Sequence, residues 1–325
     1  MLGITVWIMI FIGSYFIIFF AADVFLDNLK DICVIYNLSP FIIGMLVLGV
    51  DPEESIASII AAINGLPYVS IGNVVGNSII AMTLPFSLAL LFYTLKFKSI
   101  SRFYFIILYI LLLNLLFSFV FNNFMFVSGL IALGVYVIYF FRNLRHYSQE
   151  KDRNTEDDED DTKFNERELM ELQRSSKVKK ILLTSIGLFF IFIGGELLIL
   201  SADQIIDILH IPEAFFGFII IGFVTNVEEL TLILKSIKKK SVDIGFGGMI
   251  GKLIWNLTIT FGISGVIMTN IAFKLILLWN WLILLLIIVY FNISYKKEKL
   301  TKKDGLILLV IFIGFIIINV LLAEV

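Results

Sequence analysis

The sequence is poor in the residues that build soluble catalytic and redox sites, with one cysteine, two histidines and five prolines in 325 residues. A single cysteine excludes an intrachain disulfide and a thiolate metal cluster. Charged residues make up only 16% of the chain and the net charge is −2, so no nucleic-acid-binding surface is indicated. Hydrophobic residues reach 59%, against about 45 to 50% in soluble domains. This composition predicts a protein embedded in the lipid bilayer.

Apolar stretches of roughly 20 residues, the length of a membrane-spanning helix, recur along nearly the whole chain. They predict an all-α integral membrane protein with ten transmembrane helices. A long polar segment, 142–180, divides these helices five and five, and it contains the acidic run EDDEDD. That run is typical of a solvated, disordered tract, with a low-affinity calcium sensor as the alternative. The spans are expected near 2–22, 38–63, 68–95, 103–121, 124–141, 179–201, 211–235, 243–268, 272–292 and 304–322.

The basic residues predict the orientation, because cytoplasmic loops are enriched in lysine and arginine. If the chain alternates across the membrane, the clusters KFKSISR, RNLRH, KVKK, KSIKKK and SYKKEKLTKK all fall on one side. We therefore expect a multi-pass protein of the plasma membrane with a cytoplasmic central segment and both termini outside. The first connection, around residues 23–31, disagrees, since it carries three acids against one lysine.

An odd number of spans in each half means that the second half enters the membrane from the opposite face. An internal repeat must then be inverted, an arrangement that places the binding site of many transporters at the midplane. Such a repeat is present: Glu53 and Glu54 recur 175 residues later as Glu228 and Glu229. The predicted organisation is a first repeat over 1–141 with its motif at 49–83, an acidic cytoplasmic linker over 142–180, and a second repeat over 181–325 with its motif at 222–258.

The duplicated acids predict a cation site. A carboxylate at bilayer depth costs on the order of 3 kcal/mol and is usually functional. Pro52 in the first copy, and Thr225 with Asn226 in the second, interrupt or loosen a helix and free backbone carbonyls beside the acids. We expect broken helices 2 and 7, with Glu54 and Glu229 as ligands. Oxygen ligands of this kind suit a hard cation such as calcium, sodium or magnesium, so transported ions are expected and no cofactor.

A glycine pair follows each acidic pair at the same offset: Gly72 and Gly76, then Gly247 and Gly251. Glycines four residues apart let two helix backbones approach closely. This packing would bring the polar side chains beside them towards the acids, and it is also compatible with a purely structural role. The polar side chains concerned are Asn73, Asn77, Lys252 and Asn256.

These motifs together resemble a known family. SPFIIG and GNVVGN in the first half, with GGELLILSAD, TNVEEL and GGMIGKLIWN in the second, are similar to the two alpha repeats of the sodium/calcium exchanger family within the calcium:cation antiporters. The resemblance implies ten inverted-repeat helices. By position, the motif glutamates fall on Glu54 and Glu229. The remaining ligand positions fall on Val50, Asp51, Asn77, Ala81, Thr225, Asn226, Lys252 and Asn256.

This sequence departs from the family pattern at four hydroxyl positions, which are Asp51, Asn77, Asn226 and Lys252. Lys252 has only apolar helical neighbours, so it is expected to pair with Glu54, Glu229 or Asp51, because an unpaired ammonium in the membrane is costly. The hypothesis that follows is that the protein binds fewer monovalent ions than its relatives or couples to protons.

The sequence therefore predicts a secondary active antiporter that exchanges a divalent cation, with Ca²⁺ as the expected ion, for Na⁺ by alternating access. The alternative is a proton-coupled exchanger of Ca²⁺ or Mg²⁺. Two further alternatives are a relative without transport activity and an intramembrane enzyme with paired carboxylates, although an enzyme is not expected. The expected partners are inorganic cations and the bilayer, with no obligatory protein partner evident.

Overall fold

The structure is a computed structural model that describes residues 3–35, 51–96, 102–153, 177–226, 233, 237, 242–295, 297 and 299–323. Almost all of these residues are helical, and eight of the helices are long and apolar enough to cross a membrane. Two shorter helices, which the structure describes only in part, bring the number to the ten membrane helices predicted. The uninterrupted helices are α1 (Ile4–Ile35), α3 (Pro67–Phe92), α4 (Arg102–Val120), α5 (Met125–Arg153), α6 (Lys177–Leu209), α9 (Leu275–Tyr295) and α10 (Lys302–Ala323).

Three helices near the middle of the two halves are short or irregular. The described part of α2 is Pro52–Ile63. Helix α7 consists of Glu213–Phe215, a wider π-type segment Phe216–Ile221, and Gly222–Thr225. Helix α8 consists of Val242–Trp255, a π-type segment Asn256–Thr260, and Phe261–Met268. Such π-type turns are rare and occur frequently at functional sites.

Helix α1 runs well beyond the predicted span 2–22, and α6 extends past its predicted end at residue 201. The acidic stretch 23–31, expected to be a connection, is therefore part of α1. Its Asp31 forms an ion pair with Lys180 at the start of α6. The two helices lie antiparallel along each other because Gly187 and Gly194 leave room for the backbone of α1. At least one acid of this stretch, Asp31, thus has a basic partner on the neighbouring helix.

The helix contacts follow the inverted repeat. Helix α3 packs against α7 and α10, and its counterpart α8 packs against α2 and α5. Individual close approaches recur as well: a Cβ on Gly129 would lie 2.7 Å from the carbonyl oxygen of Gly262, and one on Gly305 would lie 3.2 Å from that of Ser87. The first contact joins α5 to α8 and the second joins α10 to α3. The two contacts correspond in the repeat, because Gly129 and Gly305 are 176 residues apart in the sequence and Ser87 and Gly262 are 175 apart. Each half therefore supplies one helix, α3 or α8, that packs against two helices of the other half.

The connections on the side of the central segment are tied together. A two-residue strand β1 (Leu95–Lys96) after α3 pairs antiparallel with β2 (Lys299–Leu300) before α10. The guanidinium of Arg142, near the middle of α5, lies 3.7 Å from the ring centre of Phe103 at the start of α4. Lys96, Lys299 and Arg142, which belong to the basic clusters of the sequence, therefore lie on one face of the molecule.

Candidate functional site

Asp51 and Pro52 set where α2 begins. Pro52 occupies the first helical position, where its missing N–H and fixed φ do no harm. Asp51 is the N-cap: its Oδ1 accepts a hydrogen bond of 3.2 Å from the backbone N–H of Glu54. This start directs Glu54 into the protein, where its side chain is only 1% exposed. A carboxylate is thereby held inside the membrane domain at a helix terminus.

Three side chains from two other helices donate to the Glu54 carboxylate. From α3, the amide of Asn77 donates to Oε1. From α8, the amide of Asn256 donates to Oε2 over 2.8 Å, and the Lys252 ammonium lies 2.9 Å from Oε1. Helices α3 and α8 are counterparts in the inverted repeat, so both halves contribute donors to this carboxylate. Each oxygen of Glu54 has at least one charged or amide donor.

Lys252 also pairs with Asp51, through Oδ2. Both Asp51 and Lys252 are largely buried, with side chains 6% and 13% exposed. Asp51 thus uses one oxygen to cap α2 and the other to bind the lysine of α8. Of the three expected partners of Lys252, the structure provides Asp51 and Glu54, while Glu229 lies outside the described residues, as do Glu228 and Val50.

Two further asparagines form hydrogen bonds to the backbone of the residues that make up this cluster. Asn73 on α3 donates to the backbone oxygen of Glu54 over 3.0 Å and to Ser58 Oγ over 2.8 Å. Asn226, at the end of α7, donates to the backbone oxygens of Gly222 and, over 3.5 Å, of Asn77. The side-chain oxygens of Asn73 and Asn226 are buried, and in the part of the chain that the structure describes neither accepts a hydrogen bond. They are oxygen donors available to a cation.

A hydroxyl network lies next to this cluster and was not anticipated from the sequence. Ser55 Oγ lies 2.7 Å from Thr260 Oγ1 and accepts a hydrogen bond of 2.8 Å from the indole N–H of Trp255. Thr260 in turn lies 3.4 Å from the side-chain oxygen of Asn256. Neither Ser55 nor Thr260 has a polar counterpart at the repeat offset, so the duplication gave no signal for them. The π-type segment 256–260 places Asn256 and Thr260 on the same side of α8.

The two glycine pairs behave differently among the described residues. A Cβ on Gly72 or Gly76 would lie 2.7 Å from backbone atoms of Gly217 or Phe218, so α3 and α7 are in backbone contact there. Nothing described lies within 4 Å of a Cβ on Gly247 or Gly251. The repeat offset would place residues 42 and 43 beside them, and these lie outside the described residues. The packing role of the second pair stays a prediction.

The site gathers Asp51, Glu54, Asn77, Asn226, Lys252 and Asn256 from the predicted set. Thr225 ends α7 directly before Asn226. Within the described ranges, no group of three or more histidine, cysteine or acidic side chains that could hold a metal ion is found. The buried oxygen atoms of the described site belong to two carboxylates and several amides. Such an all-oxygen set suits a hard cation and not a soft transition metal.

A family profile described as "Sodium/calcium exchanger protein" matches residues 6–145 and 179–321, which is most of the chain. The chain belongs to the sodium/calcium exchanger protein family. Membership makes it a membrane cation antiporter and agrees with the inverted-repeat fold. The two matched segments leave out the central segment, 146–178, which separates the halves.

Individual relatives agree with this assignment. The chain is 22% identical over 310 residues to "Uncharacterized membrane protein MJ0091" of Methanocaldococcus jannaschii, covering 93% of this chain and 94% of that protein. A structure of the sodium-calcium exchanger NCX_Mj matches with a TM-score of 0.58 and 21% identity over 96% of this chain and 98% of that one. A structure of the H⁺/Ca²⁺ exchanger CAX matches with a TM-score of 0.72 and 13% identity over 97% and 87%. At these identities the solved structures are evidence for the fold alone.

Proposed function

We propose that this exchanger carries a divalent cation, calcium, in one direction and sodium in the other, by alternating access of one midplane site. The observation that supports it is the Glu54 carboxylate, which is buried at the start of α2 and bound by α3 of one half and α8 of the other. A buried carboxylate is costly in a membrane, and the presence of a glutamate at the same position in both repeats of this chain points to ion binding.

Glu54 and Glu229 are the shared ligands for which the two ions compete. Asp51, Asn77, Thr225, Asn226 and Asn256 add carboxylate, hydroxyl and amide oxygens. An asparagine that now donates its N–H to Glu54 presents its oxygen to an ion after a half turn of its amide group, since oxygen and nitrogen occupy similar positions. Calcium takes six to eight oxygens in a flexible arrangement, which a ring of amides and carboxylates can provide.

A proton-coupled exchange of calcium or magnesium is the second candidate. It is favoured by the replacement of hydroxyl ligand positions by Asp51 and Lys252, which form an ion pair at the site and thereby occupy groups that sodium would use. The solved CAX exchanger, described as H⁺/Ca²⁺, has the same fold. Sodium coupling remains the first choice because the profile that matches both halves is that of sodium/calcium exchangers.

The experiment is uptake of Ca²⁺, Mg²⁺ and Mn²⁺ into proteoliposomes under separately imposed Na⁺, K⁺ and H⁺ gradients. Calcium uptake driven by an outward Na⁺ gradient, and abolished in Glu54→Gln, supports the first proposal. Uptake driven only by a proton gradient supports the second. No gradient-driven flux of any divalent cation would identify a relative that has lost transport.

We further propose that both termini lie outside the cell, with the face that carries β1 and β2 in the cytoplasm. The support is the shared position of the basic connections around Lys96, Arg142 and Lys299, because cytoplasmic loops are enriched in such residues. In a Cys33→Ala background, single cysteines at Lys297 and at Asn123 test it with a membrane-impermeant maleimide in intact cells. Labelling of the Asn123 position alone is expected, and labelling of the Lys297 position alone would reverse the orientation.

A further inference from the structure

Lys252 places its ammonium group inside the proposed ion site. Its ammonium lies 2.9 Å from Glu54 Oε1 and also pairs with Asp51 Oδ2. It therefore bridges two carboxylates that belong to the same helix start, one of them the N-cap residue and the other three positions later. Both carboxylates are at least nine-tenths buried, so the lysine is held between them inside the protein.

Buried apolar side chains flank Lys252 along α8. The neighbouring residues Met249, Ile250, Leu253 and Ile254 are all buried and apolar. One turn further along α8, Asn256 donates to the second oxygen of the same Glu54 carboxylate. Lys252 and Asn256 therefore act on one carboxylate from consecutive turns, which places the ammonium at the ion site itself.

An ammonium is a compact, single positive charge that binds oxygen atoms at about 2.8 Å. A sodium ion carries the same charge and binds the same kind of oxygens. The difference is that the ammonium is attached to α8, so it is always present at high effective concentration and is never released. Asp51 and Glu54, held this close to one another, would repel without a cation between them, since like charges disfavour joint ionisation.

We infer that Lys252 is a tethered monovalent cation, which occupies the place between Asp51 and Glu54 that a sodium ion would otherwise take. The protein consequently binds one monovalent ion fewer than it would without the lysine. The consequence for transport, which is the number of monovalent ions exchanged for each divalent ion, rests on the proposed function. The consequence for equilibrium binding, which is the number of sodium ions bound, does not. Lys252 is thus a residue that determines ion stoichiometry.

The binding test uses the full chain purified in detergent. Thermal unfolding is measured over a range of NaCl concentrations, with N-methyl-D-glucamine chloride holding the ionic strength constant. A ligand that binds only the folded state stabilises it in proportion to the logarithm of its concentration, so the slope counts the sodium ions bound. Lys252→Ser is expected to raise this slope by about one ion relative to the wild type, and an unchanged slope would overturn the inference.

The double variant Asp51→Asn, Lys252→Ser keeps the α2 cap and removes one charge of each sign. It is expected to fold even where Lys252→Ser does not, and to show the wild-type slope because only one carboxylate remains. A slope raised by one in this double variant would contradict the inference, since the extra ion would then not lie between the two carboxylates. Lys252→Met in place of serine checks that the gained ion does not depend on the new hydroxyl.

The transport test measures the membrane voltage at which sodium-driven calcium flux reverses. With Lys252→Ser, one additional positive charge is expected to move against each calcium ion, which shifts the reversal voltage accordingly. If the wild type shows no sodium-driven flux, the proposed function fails while the binding slopes still decide the role of Lys252. If the wild type transports and both Lys252→Ser and Lys252→Met reverse at the wild-type voltage, the role of Lys252 as a tethered cation is wrong while the proposed function stands.

Discussion

Gly76 of α3 lies directly against the backbone of Phe218 in α7, so closely that an added Cβ would lie 2.7 Å from the Phe218 Cα. The contact joins a helix of the first half to a helix of the second, four residues after a similar contact at Gly72. It also fixes the position of the next residue along α3, Asn77, which donates to Glu54. Helix packing and site geometry are therefore coupled at this glycine pair.

Gly76→Ala is expected to separate α3 from α7 and to lower the free energy of unfolding by about 1 to 3 kcal/mol, the usual cost of overpacking. The displaced Asn77 should also weaken divalent cation binding. Gly134→Ala on α5 is the matched control, because nothing described lies within 4 Å of its Cβ and alanine favours a helix. Thermal unfolding in detergent checks both, and equal stability of the two variants would contradict the close contact.

Glu54→Gln removes the charge that the site uses to attract a cation while it keeps the size of the side chain. Loss of groups that merely support a metal ligand costs 10- to 100-fold in affinity, so loss of this carboxylate should cost roughly 100-fold or more. Radioactive calcium binding and proteoliposome flux measure it. Glu53→Gln, one residue before, serves as the control and should retain most of the flux, because adjacent residues of a helix lie about 100° apart around its axis and Glu53 therefore points in a different direction from Glu54.

Asp51 is expected to have two separable roles, in capping α2 and in binding Lys252. Asp51→Asn keeps a good cap and loses the charge, whereas Asp51→Ala loses both. The alanine variant should therefore be less stable than the asparagine variant by about 1 kcal/mol, the typical value of an N-cap side chain. Chemical or thermal unfolding of the two variants side by side gives this difference. Equal stabilities would mean that the hydrogen bond from Glu54 N–H contributes little.

Asn280 on α9 and Asn319 on α10 form a reciprocal amide pair, with both N–H···O distances 2.8 Å and both side chains fully buried. Replacing either one by leucine leaves the other with an unsatisfied amide and is expected to cost about 1 to 2 kcal/mol. Replacing both should cost less than the sum of the two single changes. A double-mutant cycle by thermal unfolding measures the coupling, and purely additive costs would argue against the pair.

Several features of the site followed from the sequence because they depend on composition, periodicity or repetition. Membrane-spanning helices are apolar over a fixed length, so hydropathy located the eight long helices that the structure describes, and an odd number of spans per half required the repeat to be inverted. The duplicated acids marked Glu54 as the site carboxylate in advance. The ends of α1 and α6 could not be placed in this way, because Asp31 and Lys180 stabilise each other across the two helices and not within either one.

The sequence by itself determined the membrane class, the family, the inverted repeat and the position of a buried carboxylate near a helix start. Only the tertiary structure decided which acids bind Lys252, that Asp51 both caps α2 and neutralises that lysine, and that Ser55 meets Thr260 some 205 residues away. The physical reason is that hydropathy and helix breaks are local properties of the chain. Ion pairs and hydrogen bonds between α2, α3 and α8 depend on how the helices pack, which residues close in sequence do not specify.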